Sequence, residues 1–138
     1  MNINQIEKKI FGINSRFNLT ENQTRELKLD LNKSIILVTG AAGSIGKAFI
    51  QGLKKFKFKK VFLLDNNENA LADLSRDINL SFAKKQIKDI DFICEDINNF
   101  NLKIFLKKNK ISHFINFAAL KHVRSEENFY STKNIFKT

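Results

Sequence analysis

Three glycines spaced three apart, Gly40, Gly43 and Gly46, follow directly on the uncharged run Ile35-Ile-Leu-Val-Thr39. A strand that empties into such a triplet can turn sharply, bring bare backbone up to an anion, and pack the next helix closely on the sheet. The chemistry this suits is the holding of a pyrophosphate, with the amides and positive dipole end of the following helix facing the charge. A second apolar run, Val61-Phe-Leu-Leu64, ends in Asp65, nineteen residues past Gly46. A carboxylate at about that distance can accept a hydrogen bond from a ribose hydroxyl. A third run leads to Glu95-Asp96-Ile97, where Asp96 can accept from an adenine amino group while Ile97 packs on the ring. The fourth ends in Asn116-Phe-Ala118-Ala119, small residues that let backbone pass close to a dinucleotide.

The same residues admit plainer readings: a tight strand-to-helix turn with no ligand, Asp65 as a helix N-cap, Asp96 as a cap and the alanines as packing. A triphosphate-binding loop is the other competitor, since Lys47 follows Gly46. It fails because five residues rather than four separate Gly40 from Gly46, and Ala48 stands where a magnesium-binding Ser or Thr is needed.

These residues are useful only if a scaffold brings them together. From residue 34 the pattern predicts strand 34–39, helix 44–56, strand 60–65, helix 67–84, strand 91–96, helix 99–109, strand 112–118 and a helical stretch from about 121. Strands alternating with helices imply a parallel sheet with right-handed crossovers. The first helix carries Ile45, Phe49, Ile50 and Leu53 on one stripe, the second Ala70, Leu71, Leu74 and Ile78. Asn66, Asn67 or Asn69 is expected to cap the second helix, and Asn98 or Asn99 the third. Residues 1–33 read as a polar arm with Ile3, Ile6 and Ile10 at helical spacing. There Leu27, Leu29 and Leu31, after Thr20-Glu-Asn-Gln, alternate as in an edge strand or an irregular packing arm.

At 138 residues with 43% hydrophobic content the chain can bury one core. Its lone Cys94 excludes an internal disulfide and, inside Phe92-Ile93-Cys94, is expected to be a buried packing residue. No run is long enough to span a membrane and no signal-peptide pattern opens the chain, so a cytoplasmic address is expected. The net charge of +10 raises nucleic acid as a partner, but the excess is split. Residues 34–66 carry six Lys against one acid, whereas 67–100 are net acidic, seven against four. Only four of 24 basic residues are Arg, the residue suited to bidentate phosphate and base contacts. The densest run, Lys54-Lys-Phe-Lys-Phe-Lys-Lys60, therefore reads as a solvated helix end and loop, with no nucleic-acid partner expected.

Taken together, Thr39-Gly40-Ala-Ala-Gly43-Ser-Ile-Gly46, Leu64-Asp65-Asn-Asn-Glu-Asn-Ala-Leu71, Asp96-Ile97 and Asn116-Phe-Ala-Ala-Leu-Lys121-His-Val123 resemble the extended short-chain dehydrogenases/reductases. More narrowly they resemble the polysaccharide-biosynthesis branch, nucleotide-sugar 4,6-dehydratases and epimerases acting on UDP-N-acetylglucosamine-like substrates. The resemblance covers about residues 34–128 and implies a Rossmann-like doubly wound α/β fold with strand order 3-2-1-4. It implies NAD or NADP held by Gly40, Gly43, Ser44, Ile45 and Gly46, ribose contact through Asp65 with Asn66 beside it, and adenine contact through Asp96 and Ile97. The cofactor would pass Ala118, Ala119 and Lys121. The Asp65 carboxylate favours NAD, because it repels a 2′-phosphate and no Arg adjoins it.

Family members carry a Tyr-x-x-x-Lys pair after a fifth strand. Tyr130 does not supply it, since Asn134 occupies the lysine position and the residue comes one unit early. His113 opens the fourth strand, His122 follows Lys121, and neither has partners for a metal site; no catalytic and no metal-binding residue is assigned. The expectation is a polar arm, 1–33, and a partial NAD(P)-binding domain, 34–138, truncated after about four strands, with catalysis absent from this chain. Nucleotide-sugar binding belongs to a complete relative, and the fourth strand would offer an edge for self-association. The alternative is a non-catalytic dinucleotide-binding or interaction module completed by another chain.

Overall fold

A strand flanked on both sides by other strands and covered on both faces must be apolar along its whole length. Two segments meet that demand, and both lie inside the sheet. The computed structural model describes residues 19–119. Its elements run α1 (Glu21–Leu31), β1 (Ile35–Thr39), α2 (Ser44–Leu53), β2 (Lys60–Asp65), α3 (Glu68–Ser81), α4 (Lys84–Ile87), β3 (Ile90–Cys94), α5 (Leu102–Lys108) and β4 (His113–Asn116). All strand pairings are parallel and the order is β3-β2-β1-β4, as expected.

The core gathers on β1 and β2. Ile36, Leu37, Val38, Val61, Leu63 and Leu64 are essentially inaccessible, and Ile50 and Leu53 of α2 and Leu71, Leu74 and Ile78 of α3 are buried with them. Phe105 of α5 stands edge-on to Phe62 of β2, ring centroids 5.0 Å apart. At the amino ends of the strands Ser112 Oγ accepts from Ile35 N at 2.9 Å and donates to Ile35 O at 3.0 Å, clasping β4 to β1.

The chain divides into two compact units, Met1–Asp30 and Leu31–Thr138. Several expectations about the elements change. Leu27, Leu29 and Leu31 lie on helix α1 rather than on a strand or irregular arm. The cause is a capping box: Gln23 N donates to Thr20 Oγ1 at 3.2 Å and Thr20 N to Gln23 Oε1 at 2.9 Å. Leu27 and Leu31 then share a helix face, and Leu29 points away with 71% of its surface exposed. Helix α2 ends at Leu53, three residues early, and the lysine-rich run becomes the loop to β2 with Phe58 turned inward. Gln86 of α4 secures that loop, its Nε2 donating to Phe56 O at 2.8 Å and Lys54 O at 3.3 Å. The expected second helix breaks at Phe82, whose extended backbone buries the ring before α4 begins.

Cys94 is exposed, not a core residue. It ends β3, an outer strand paired only on the β2 side among the described residues, so apolar sequence does not bring burial there. Ile45, in the first turn of α2, leaves its predicted stripe and is 67% exposed. Asn67 caps α3, accepting from Ala70 N at 3.0 Å, but α5 is capped by Asn101 instead of Asn98 or Asn99, since the helix starts three residues later than predicted. The helical stretch from 121, with Lys121, His122 and Tyr130, lies outside the described residues, as does the segment Ile3–Ile10.

Helix α5 closes with a Schellman motif: Ile111 N bonds Leu106 O at 3.0 Å and Lys110 N bonds Lys107 O at 3.3 Å. Lys110 takes the left-handed conformation there, φ 52°, at a position glycine fills more comfortably.

Candidate functional site

Because every strand runs the same way, the residues after Thr39, Asp65, Cys94 and Asn116 gather at one edge of the sheet. That edge is where ligands bind in open parallel sheets, at the point where the strand order reverses between β1 and β4.

The turn after β1 is assembled around glycine. Gly40 has φ +65°, and a Cβ on it would stand 2.5 Å from the backbone of Phe117 and Ala118, so the loop leaving β4 lies directly on it. Gly46, buried in the first turn of α2, would drive a Cβ into Gly40 O and to within 2.7 Å of Ala41 O. Gly43 is the N-cap residue of α2. A Cβ there would meet only Gly40 O, at 3.3 Å.

The amides of this loop divide into two groups. Ala41 N donates to Leu64 O at 3.2 Å, Ala42 N to Asp65 Oδ2 at 2.9 Å and Gly43 N to Gly40 O at 3.2 Å, so these three are committed to the fold. The first helical bond of α2 is Lys47 N to Gly43 O at 2.8 Å. Gly43 brings no side chain to the amides of Ser44, Ile45 and Gly46, which start the helix at the ligand edge.

Asp65 sits between this turn and the next. Its Oδ2 takes the Ala42 amide and its Oδ1 the Asn67 amide at 3.0 Å, while its backbone oxygen accepts from Glu95 N at 3.1 Å. A carboxylate has about four acceptor sites, so two remain for a ligand hydroxyl. Asn66 beside it is exposed. Asp96 holds its own loop: Oδ1 accepts from Asn98 N at 2.8 Å and Nδ2 at 3.0 Å, with Ile97 half-buried next to it. On the other side of the glycine turn, Ala118 lies against Gly40 and Ala119 is exposed. Lys121 lies outside the described residues. His113 is at the far end of β4, beside Ser112, away from this edge.

One pair escapes sequence reasoning. Thr39 Oγ1, fully buried, donates to Asn116 Oδ1 at 2.6 Å, and the same oxygen accepts from Ala118 N at 3.0 Å. The partners are 77 residues apart and carry no motif that joins them; only the register of β1 against β4, Thr39 opposite Asn116, brings them together.

This geometry is that of a Rossmann-like parallel sheet of the short-chain dehydrogenase type. The chain belongs to the polysaccharide biosynthesis protein family, whose model matches residues 36–138. A Methanocaldococcus jannaschii protein described as uncharacterized membrane protein MJ1061 is 36% identical over 88 residues, 64% of this chain and 24% of that one. The capsular polysaccharide biosynthesis protein CapD of Staphylococcus aureus is 28% identical over 115 residues, 77% of this chain and 19% of that one. The chain thus spans a quarter or less of the length of these two relatives. Among solved structures, Pen from Bacillus thuringiensis superposes with a TM-score of 0.63 at 23% identity, covering 78% of this chain and 30% of that one. Among the described residues no helix is long and apolar enough to cross a membrane, and no group of three or more potential ligands could hold a metal ion.

Proposed function

We propose that this chain supplies the NAD(P)-binding portion, residues 34–138, of a nucleotide-sugar dehydratase or epimerase of surface polysaccharide biosynthesis, with residues 1–33 as an arm outside it. The substrate class of the complete enzyme is a UDP-N-acetylglucosamine-like sugar. The observation that carries the reading is the start of α2: a glycine where α1, α3 and α5 have a capping side chain, three helix-start amides at the carboxyl-end edge of the sheet, and Asp65 latched beside them.

A dinucleotide fits these residues. The Ser44, Ile45 and Gly46 amides would hold its pyrophosphate, and the absence of a Cβ at Gly43 lets the phosphate approach the backbone. Asp65 would accept from the adenosine ribose with the lone pairs its two backbone bonds leave over, and its charge disfavours a 2′-phosphate, so NAD is preferred to NADP. Asp96 and Ile97 would receive the adenine, and Ala118, Ala119 and Lys121 the passage toward the nicotinamide. When bound, the cofactor supplies hydride exchange with a sugar carbon; this chain's residues bind and orient it, and none is assigned to proton transfer. Calorimetric titration of the purified chain with NAD and NADP tests the proposal. The expected result is binding of NAD ahead of NADP, and a demonstrably folded chain that binds neither would refute it.

A further inference from the structure

Parallel strands give the sheet two unlike ends, and charge is sorted between them. The end opposite the glycine turn is formed by the loops that enter the four strands. Five of the seven residues at 54–60, on the way into β2, are lysine. Gln86 bonds that loop to α4 through Phe56 O and Lys54 O, which brings Lys84, Lys85 and Lys88 beside it. Lys33 precedes β1, where Ser34 O accepts from Lys59 N at 3.0 Å and Lys60 N at 3.3 Å. Lys107, Lys108 and Lys110 close α5, just before Ser112 clasps β4 to β1. Of these twelve lysines eleven are exposed, and Lys60 is half-buried, its Nζ 2.8 Å from Asp91. Within residues 31–119 the acids at this end are Asp89 and Asp91. At the glycine-turn end the balance reverses, with Asp65, Glu68, Glu95 and Asp96 against Lys47 and Lys103.

The sequence scatters these lysines between positions 33 and 110, and the fold collects them on one face. Three strand spacings make that face about 15 Å wide, broader than a groove. Ammonium groups so gathered repel one another, a cost that a polyanion offsets. None of the twelve is Arg, so the face lacks the planar fork that grips a base edge or a fixed phosphate. Phe58 of the loop is buried and Phe56 half-buried, which leaves no ring there for a base to stack on. Point charges spread over a broad face suit headgroups that can move beneath them. We propose that this lysine face docks the protein on the anionic surface of a lipid bilayer, with the glycine-turn edge directed away from it. Attraction at one end and repulsion at the other act in the same sense and set the orientation. The inference goes beyond the dinucleotide reading and stands without it.

Co-sedimentation of the purified chain with vesicles tests the proposal. Vesicles of phosphatidylcholine and phosphatidylglycerol in roughly equal parts should bind the chain at low salt and release it as added salt screens the headgroups. Phosphatidylcholine alone should not bind it. Lys54→Gln, Lys57→Gln, Lys84→Gln and Lys107→Gln combined should weaken binding about a hundredfold or more, at about fivefold per lysine. The same four positions changed to Arg should bind within about twofold of wild type, because the charge is kept. Both variants should melt as the wild type does, since all four side chains are exposed. Orientation is read from Cys94, exposed at the glycine-turn end of β3. A fluorophore on it should escape a quencher carried on lipid headgroups, whereas one on Lys57→Cys, in a chain with Cys94→Ser, should be quenched. Failure to bind anionic vesicles, equal binding to both vesicle types, undiminished affinity in the Gln variant, or equal quenching at positions 94 and 57 overturns the proposal. Tighter binding to duplex DNA than to anionic vesicles at the same phosphate concentration overturns it in favour of a nucleic acid.

Discussion

Helices α2 and α3 begin in equivalent places, each one loop beyond a buried parallel strand, and they begin in opposite ways. The start of α3 is closed: Asn67 accepts from Ala70 N, and Asp65 accepts from Asn67 N. The start of α2 is open, since its N-cap is a glycine, and the loop before it uses its amides internally up to Gly43 but no further. Relative to a capping side chain, glycine at an N-cap costs only about a few tenths of a kcal/mol, so the open end is a small cost to the fold that an incoming anion can offset. Within one sheet, the contrast separates a terminus completed by a side chain from one left open.

Substitutions that exchange these characters sharpen the contrast. Gly46→Ala should have the largest effect: its Cβ meets two backbone oxygens that cannot swing aside, and destabilisation of about 3 kcal/mol or more is expected, seen as a lowered urea midpoint. Gly43→Asp closes α2 in the manner of α3. Stability should stay within about 0.5 kcal/mol, whereas NAD binding measured by calorimetry should weaken at least about tenfold, because a carboxylate now occupies the anion's position. Asn67→Ala opens α3 and should lower stability by about 1 kcal/mol in thermal melts without giving that helix any affinity for phosphate. Lys110→Gly, remote from both termini, relieves the left-handed residue after α5 and should raise stability by about 0.5–1 kcal/mol, a control for changes that leave the ligand edge alone.

Elements and partners that depend on near neighbours in sequence were the legible ones. The runs at 35–39 and 60–65 read as strands because burial on both faces demands unbroken apolar sequence, and the glycine spacing announced the turn between strand and helix. Burial was misread where position in the sheet decides it: Phe92-Ile93-Cys94 looks like core, but an outer strand leaves its cysteine exposed. The reading of α1 failed for a different reason, since a two-residue leucine alternation outweighed the Thr20 and Gln23 capping pair that was already visible. The Thr39–Asn116 bond could not have been read, because strand register alone creates it. The adenine-side and glycine-turn candidates do meet at one edge; Lys121 lies outside the described residues.

The latch formed by Asp65 bears on how such a site can change over time. One carboxylate joins the glycine turn to the start of α3, and under the proposed dinucleotide binding the same group would meet the ribose, so architecture and recognition would share a residue. Mutational drift at position 65 is therefore constrained from two directions, and an engineer seeking a different cofactor preference would unfasten the Ala42 amide in the attempt. Asn66 is exposed and makes no comparable bond among the described residues, which leaves it as the freer position from which selection, natural or directed, can begin.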